Sequence, residues 1–370
     1  MLRLNRPRPL VLQIGLLLVA APVLALAQPP LTLEEAENLA LQEEPAVAGY
    51  RERAAAREES AVAAGALPDP MLITELMDFP ANRPRLDGDD MTQLRLGLRQ
   101  TFPRGQTRSL RREREGLQAR QENARGDEAE RAALNAVRQA YLRLYSQRRT
   151  VTLLAINRGH FEKLLEITER ALAAGRVSRQ DVIRAELELD RLEDRLTAAR
   201  AEKAEAEATL ARWIGSQAAR RPFPDELPEL GMPDDSGIDH HPLLQAEDLV
   251  VADQRRGVDL ARQAYRPEWS VEVTYGMATR DVRDPDRLSA MLMLDLPLFT
   301  RNRQDRDVAA SRREAHAAEH DRELQRRTLN QALGSQQARW QRLREREQRF
   351  TERLLAGSAD NVEAAEQAYR

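Results

Sequence analysis

Few residues in this 370-residue chain have types and spacing that suggest chemistry. His316 and His320 stand four apart in HAAEH, which puts two imidazoles on one helical face and could hold a metal ion. Their neighbours are Arg, Glu and Ala, so the segment reads as a solvated face and no metal is expected there. His240-His241 precede Pro242 at a helix entry, after the Pro-rich linker Arg221 to Asp239. PRGQT, from Pro103, lacks the Lys of a phosphate-binding loop, and no set of nucleophile, base and orienting group stands out. The chain has no cysteine, which excludes disulfides, thiolate metal sites, cysteine nucleophiles and lipid attachment through an N-terminal Cys. The expectation is a protein that is not an enzyme and carries no cofactor.

The polar residues that do form a pattern alternate with apolar ones. In QLRLGLRQTF, Leu94, Leu96 and Leu98 point one way, while Gln93, Arg95, Gly97 and Arg99 point the other. Further on, Trp269, Val271, Val273, Tyr275 and Met277 oppose Ser270, Glu272, Thr274 and Gly276. A membrane barrel with a wet lumen needs this dyad, and it makes Arg95, Arg99, Glu272 and Thr274 candidate lumen-facing groups. A half-buried soluble sheet would alternate in the same way. Glu75 interrupts the Met71, Ile73, Met77 face of the first strand, and the fourth is apolar on both faces except at Asp295.

Four strands are expected, at about 71–79, 91–102, 269–277 and 288–299, each near the length a tilted strand needs to cross a bilayer. Four strands cannot close a barrel wide enough to span a membrane, because edge groups would meet lipid unpaired. Transmembrane strands here would therefore require several chains to share one barrel. No segment after the N-terminal region approaches the about 18 apolar residues of a transmembrane helix.

That N-terminal region reads as an export signal over 1–27. Arg3, Arg6 and Arg8 precede the apolar run Leu10 to Leu26, and Ala25-Leu26-Ala27 precedes a cleavage point between Ala27 and Gln28. Charge is abundant but balanced, 57 Lys and Arg against 60 Asp and Glu, so the net −3 gives no case for nucleic acid. With 32% charged and 4% aromatic residues, the composition is that of long helices and coiled coils.

Three landmarks recur at one spacing of 197 residues: Pro45 and Pro242, Pro70 and Pro267, Phe102 and Phe299. This marks a tandem duplication of a helix, hairpin, helix module. The first repeat covers 28–214, with a helical hairpin over about 104–214. A Pro-rich equatorial segment occupies 215–238, and the second repeat covers 239–370. From about Gly105 to Leu172 no proline interrupts a helix reaching on the order of 100 Å. After it, Val182, Ala185, Leu189, Leu192, Leu196, Ala199, Lys203, Ala206, Leu210 and Trp213 keep heptad spacing. Gly175 reads as the helix stop, and Ser178 with Asp181 as a capping box opening the next helix. The two helices are expected to form an antiparallel coiled-coil hairpin with its tip at Gly175 to Asp181.

LTLEEAENLALQEEPAV, GALPDPML, QTFPRGQ, AGRVSRQDVIRAE and LDLPLF followed by Arg301 resemble, in order and spacing, the TolC family of outer-membrane efflux proteins. The resemblance runs from about Leu31 to the last residue, and GALPDP together with the Phe-Pro after strand two points to the heavy-metal branch typified by CzcC. It implies a mainly α fold with a membrane β part. Long coiled-coil helices would form a periplasmic tunnel, and two β-hairpins per chain would contribute to a trimeric twelve-stranded barrel in outer-membrane lipid. The implied partners are two further copies of the chain, a periplasmic adaptor and an inner-membrane efflux pump. By the same resemblance Gly175, Val177 and Ser178 are adaptor-contact candidates, and Asp181 and Tyr369 are aperture candidates. A helix-start carboxylate remains an equal reading for Asp181, and Arg176 departs from the family's usual apolar residue after the glycine. Counted against the first repeat, the chain stops where the second tip would begin, so the last helix, roughly 40 residues, is expected to be missing. A periplasmic coiled-coil scaffold or adaptor without a membrane barrel is the competing function.

Overall fold

The computed structural model describes residues 29–369 except 43, 80, 83–90, 228–230, 233–236 and 279–285. The signal segment, with Ala27 and Gln28, lies outside the described residues. Two short helices open the chain, α1 (Leu33–Gln42) and α2 (Pro45–Gly65). A hairpin follows, β1 (Met71–Met77) with β2 (Gln93–Phe102), and then the helical pair α3 (Thr107–Ala173) and α4 (Arg179–Ile214). After the short α5 (Ser216–Ala219), the pattern repeats as α6 (Pro242–Arg262), β3 (Glu268–Ala278), β4 (Arg287–Asp295) and α7 (Gln304–Arg349). A π-helical stretch, Phe350–Leu355, joins α7 to α8 (Ala356–Tyr369). The spacing of 197 that relates Pro45 to Pro242 also relates the starts of β1 and β3, Met71 and Glu268, and of α3 and α7, Thr107 and Gln304.

Local chemistry sets these boundaries. Both α2 and α6 begin with proline at the first helical position, where no N–H is needed. The strand β1 stops at Met77, short of the predicted 79, because Asp78 turns to φ 51° and its carbonyl accepts from the Thr92 hydroxyl at 3.0 Å. Against the predicted 288–299, β4 ends at Asp295: Pro297 has no N–H to donate to a ladder, and the Leu298 N–H turns back to the Leu296 carbonyl at 2.9 Å.

The α3/α4 pair forms the predicted hairpin. All ten heptad positions from Val182 to Trp213 are buried or half-buried on α4, and Val151, Leu154, Phe161, Leu165 and Leu172 are half-buried on α3. At 67 residues, α3 extends about 100 Å.

The core lies where α1, α3 and the end of α4 meet. Tyr141, Leu144, Val137, Leu31 and Leu210 are all fully buried there. Tyr141 donates its hydroxyl to the Leu31 carbonyl at 2.7 Å and stacks on Phe223 at 4.4 Å between centroids. Two arginines interlock around this point. Arg148 covers Phe223 and donates to the carbonyls of Arg221 and Ala219, at 2.6 and 2.7 Å. Arg221 in turn donates to the Pro29 carbonyl and pairs with Glu35, whose carboxyl it holds below the ordinary carboxylate range. The N-terminal segment and the equatorial segment are thereby clasped to the long helices.

Candidate functional site: a two-faced sheet and a helical tip

The four strands form one antiparallel sheet in the order β1-β2-β3-β4, so the two hairpins are joined by β2 and β3. Residues paired directly across such strands share a face. Arg99 pairs with Met71 and Glu272, Glu272 with Met291, and Gly97 with Ile73 and Thr274. The opposite face carries Leu72, Leu94, Leu96, Leu98, Val273, Leu292 and Leu294. The register thus resolves strands one and four: Leu72, Thr74 and Leu76 make the apolar face of β1, while Glu75 shares the polar face with Met71, Ile73 and Met77. In β4 the polar face holds Ser289, Met291, Met293 and Asp295.

The two faces invert the burial order of a soluble sheet. Leu72 and Leu98 are 67% and 57% exposed, whereas Thr274 is only 6% exposed and Gly97 is buried. All four predicted lumen-facing residues, Arg95, Arg99, Glu272 and Thr274, lie on the polar face, which is shielded at its centre on β2 and β3 and exposed at Met71, Glu75, Met291 and Asp295 along its edges. Their charges are largely paired within it. Arg99 donates through Nε and Nη2 to Glu272 at 2.9 and 2.6 Å, and Arg95 lies 3.7 Å from Glu75. On the apolar face, Phe102 and Trp269 stack at 4.0 Å near the helix side of the sheet, where an interfacial aromatic belt would lie. The ten residues of β2 span about 33 Å, which at a 45° tilt matches the about 25 Å apolar band of an outer-membrane barrel.

The corner from sheet to helix explains why a strand runs into Pro, Arg and a long helix. Gly105 adopts φ +47° against the second repeat, where an added Cβ would meet Arg266 and Gln263 at 2.4 Å. Gln263 Oε1 accepts the Gln106 N–H at 3.0 Å, and Arg104 pairs with Asp295. Below the corner, Arg114 of α3 makes a bidentate pair with the buried Asp253 of α6 at 2.9 and 2.8 Å. Neither Gln263 nor Asp253 had a signal in the sequence, because each works through a partner more than a hundred residues away.

The tip closes as its residue types require. The Arg176 N–H reaches the Ala171 carbonyl and the Gly175 N–H the Leu172 carbonyl, both at 2.9 Å, a Schellman motif with Gly175 at φ +72°. Ser178 and Asp181 form the reciprocal capping box: Ser178 Oγ accepts the Asp181 N–H at 3.3 Å, and Asp181 Oδ2 accepts the Ser178 N–H at 3.0 Å. The Ser178 hydroxyl also donates to that oxygen at 2.7 Å and holds the carboxyl below its ordinary value. The cap is therefore complete at neutral pH and released as pH falls through the depressed Asp181 pKa. Ser178→Ala is expected to raise the Asp181 pKa towards the ordinary carboxylate range, the backbone N–H bond remaining, and to speed exchange of its amide, read by NMR titration. Val177 is half-buried, and Gly175 and Ser178 are exposed. Tyr369 ends α8, where the backbone alone is described, and residues 341–364 before it are exposed throughout.

The described histidines lie on an exposed helical face and at a helix entry. His316 Nδ1 lies 3.2 Å from Glu319 on an exposed face, and His320 is exposed. Among the described residues no group of three or more His, Cys, Asp or Glu could hold a metal. His241 caps α6, its Nδ1 accepting the Leu243 N–H at 3.3 Å, at the position where Glu44 caps α2. Burial, and to a lesser degree Arg131, depress its pKa, against an opposing pull from Glu128. The neutral ring is the stabilising form, so its contribution is complete above about pH 6.5 and is lost as pH falls towards the depressed value. The melting temperature is expected to fall between pH 7 and 5, and His241→Asn, which keeps a cap but cannot titrate, to remove that part of the slope.

No protein-family model and no curated protein matches the chain. Solved structures do. A membrane protein from Pseudomonas aeruginosa is 17% identical with a TM-score of 0.75, the alignment covering 91% of this chain and 82% of that one. The outer-membrane protein VceC of Vibrio cholerae is 17% identical with a TM-score of 0.64, covering 86% and 82%. The open state of the MtrE outer-membrane channel of Neisseria gonorrhoeae is 15% identical with a TM-score of 0.69, covering 92% and 79%. The fold of this chain, long helices with a four-stranded antiparallel part, is the fold of these membrane proteins.

Proposed function

We propose that this chain is a subunit of a TolC-family outer-membrane efflux channel, a passive duct from the periplasm to the exterior. One observation carries the reading: a sheet whose apolar face is exposed on all four strands while the middle of its polar face, at Gly97 and Thr274, is buried, with the outer edges of β1 and β4 unpaired among the described residues. Lipid is the environment that such an apolar face suits, and closure by two further copies into twelve strands is what satisfies those edges. Arg95, Arg99, Glu272 and Thr274 then line a wet lumen, while α3, α4, α6 and α7 descend as a periplasmic tunnel.

In this assembly the tip lies at the periplasmic end. Gly175, Val177 and Ser178 are placed to meet an adaptor that links the channel to an inner-membrane pump, and Asp181 and Tyr369 are placed at the aperture. Asp181 caps the helix through Oδ2, while its Oδ1 lies 3.9 Å from Arg184 and is the oxygen left for an aperture role. Conduction requires a polar path and no catalytic group. The competing scaffold reading leaves the exposed leucines of the sheet without a purpose.

The test is fractionation of cells expressing the chain, followed by sizing in detergent and planar-bilayer recording. The expected result is recovery from the outer membrane only with detergent, as a trimer that conducts ions. Recovery of a soluble periplasmic monomer would overturn the reading.

A further inference from the structure

Of the 8 methionines in the chain, only Met1 and Met232 lie outside the two hairpins. Methionine is as good a helix former as leucine, so its absence from the long helices is not a matter of propensity. Four of the hairpin methionines, Met71 and Met77 on β1 and Met291 and Met293 on β4, fall on the polar face, and the central strands β2 and β3 carry none on that face. Met71 and Met291 are 58% and 55% exposed in the single chain. They flank the Arg99–Glu272 ion pair in one row across the sheet, so each open edge presents a thioether beside paired charges.

We propose that each seam between β1 of one copy and β4 of the next forms a lumenal thioether site for a soft monovalent cation, copper(I) or silver(I). This rests on the three-copy barrel proposed above. Strands in that sheet alternate in direction, so β4 and the neighbouring β1 meet antiparallel, and their polar faces must coincide.

The seam register does not have to be known. Directly opposed side chains have Cβ atoms about 4.5–5.5 Å apart, and diagonal neighbours about 7–8 Å. Alignments that set Met71 opposite Met291 or Met293, or Met77 opposite either, each bring the remaining β4 methionine onto the diagonal and gather three sulfurs. The alignment between these, with Met71 opposite Asp295, leaves Met71 diagonal to Met293 and Met77 diagonal to Met291. Every one of these alignments therefore joins thioethers from two copies, and the three rotatable bonds of methionine let them converge.

Thioether sulfur selects soft cations such as copper(I), while carboxylate and water suit magnesium or calcium. Because Arg99 and Glu272 cancel one another, the row carries no net charge to repel a cation. A wet lumen gives no packing reason for exposed methionine, and a coordinating role supplies one.

The experiment uses the full chain purified in detergent, sized first and then titrated with silver(I) by calorimetry, with methyl-labelled methionine followed by NMR. The expected result is about one silver ion per seam, with the methionine methyl signals shifted and zinc(II) unable to compete. Replacing Met71, Met77, Met291 and Met293 together by leucine, a swap of similar volume, should leave the trimer and its conductance unchanged and weaken silver binding at least about tenfold. A conducting trimer that takes no silver, or a fourfold variant that binds it equally well, would overturn the seam site alone. A chain that never leaves the monomer would overturn both the site and the channel on which it rests.

Discussion

Gly97→Ala is expected to prevent the two hairpins from joining, and with that to abolish the proposed trimer. A Cβ at this position would meet Thr274 Cγ2 at 2.3 Å, the Val273 carbonyl oxygen at 2.7 Å and Thr274 Cα at 3.1 Å. The first of these atoms is a side-chain methyl, but the other two belong to the backbone of the pairing strand. Relief therefore requires β2 and β3 to separate, which loses ladder hydrogen bonds on top of the about 1–3 kcal/mol typical of overpacking. The loss is concentrated at the one strand pair that links the repeats within the sheet. Trimer on gels and yield from the outer membrane should collapse, while far-ultraviolet dichroism, dominated by helix, changes little. Gly276→Ala is the control, since its nearest obstacle, Gln93 Oε1 at 2.9 Å, is the end of a flexible side chain. Adding Thr274→Ser to Gly97→Ala removes the methyl but not the carbonyl, so the rescue should be partial. Equal behaviour of the two glycine variants would remove the steric explanation.

Tyr141→Ala is expected to cost about 3–5 kcal/mol, the range for deleting a buried aromatic ring, or a fall of about 10 °C in melting temperature. The side chain is fully buried. Its loss leaves a cavity against Phe223 and strips the Leu31 carbonyl of its donor. Tyr141→Phe keeps the ring and should cost about 1 kcal/mol, the value of one hydrogen bond. Limited proteolysis separates the two outcomes: cleavage between residues 29 and 35 should accelerate strongly in the alanine variant and little in the phenylalanine variant. Protection of that segment in both variants would mean that Arg221 alone holds it.

Periodicity made the long elements legible. The α4 seam from Val182 to Trp213 and the tip at Gly175, Ser178 and Asp181 could be read directly, because heptads and caps are local patterns. The faces of β2 and β3 were equally legible, since leucine, arginine and glutamate alternate cleanly there. For β1 and β4 alternation failed: methionine is apolar yet lies on the polar face beside Arg99 and Glu272, and only the register settles which way it points. Strand ends were misjudged where one residue overrides the pattern, as Asp78 does through its left-handed backbone and Pro297 through its missing donor. The clasp around Tyr141, Phe223 and Arg148 and the Arg114–Asp253 pair left no trace in the sequence, because their partners are distant along the chain and ordinary in type.

The pairing of β2 with β3 also governs when the sheet can form. Arg99 and Glu272, which it brings together, are 173 residues apart, whereas each hairpin closes over a short loop. Closing so long a stretch is slow unless other structure shortens it. The α2, α3 and α6 helices do shorten it, through Arg114 and Asp253 and through the seat of Gly105 beside Gln263. The helical body should consequently assemble first and present two prepaired ribbons side by side, so that the joining of β2 to β3 is the late event in folding.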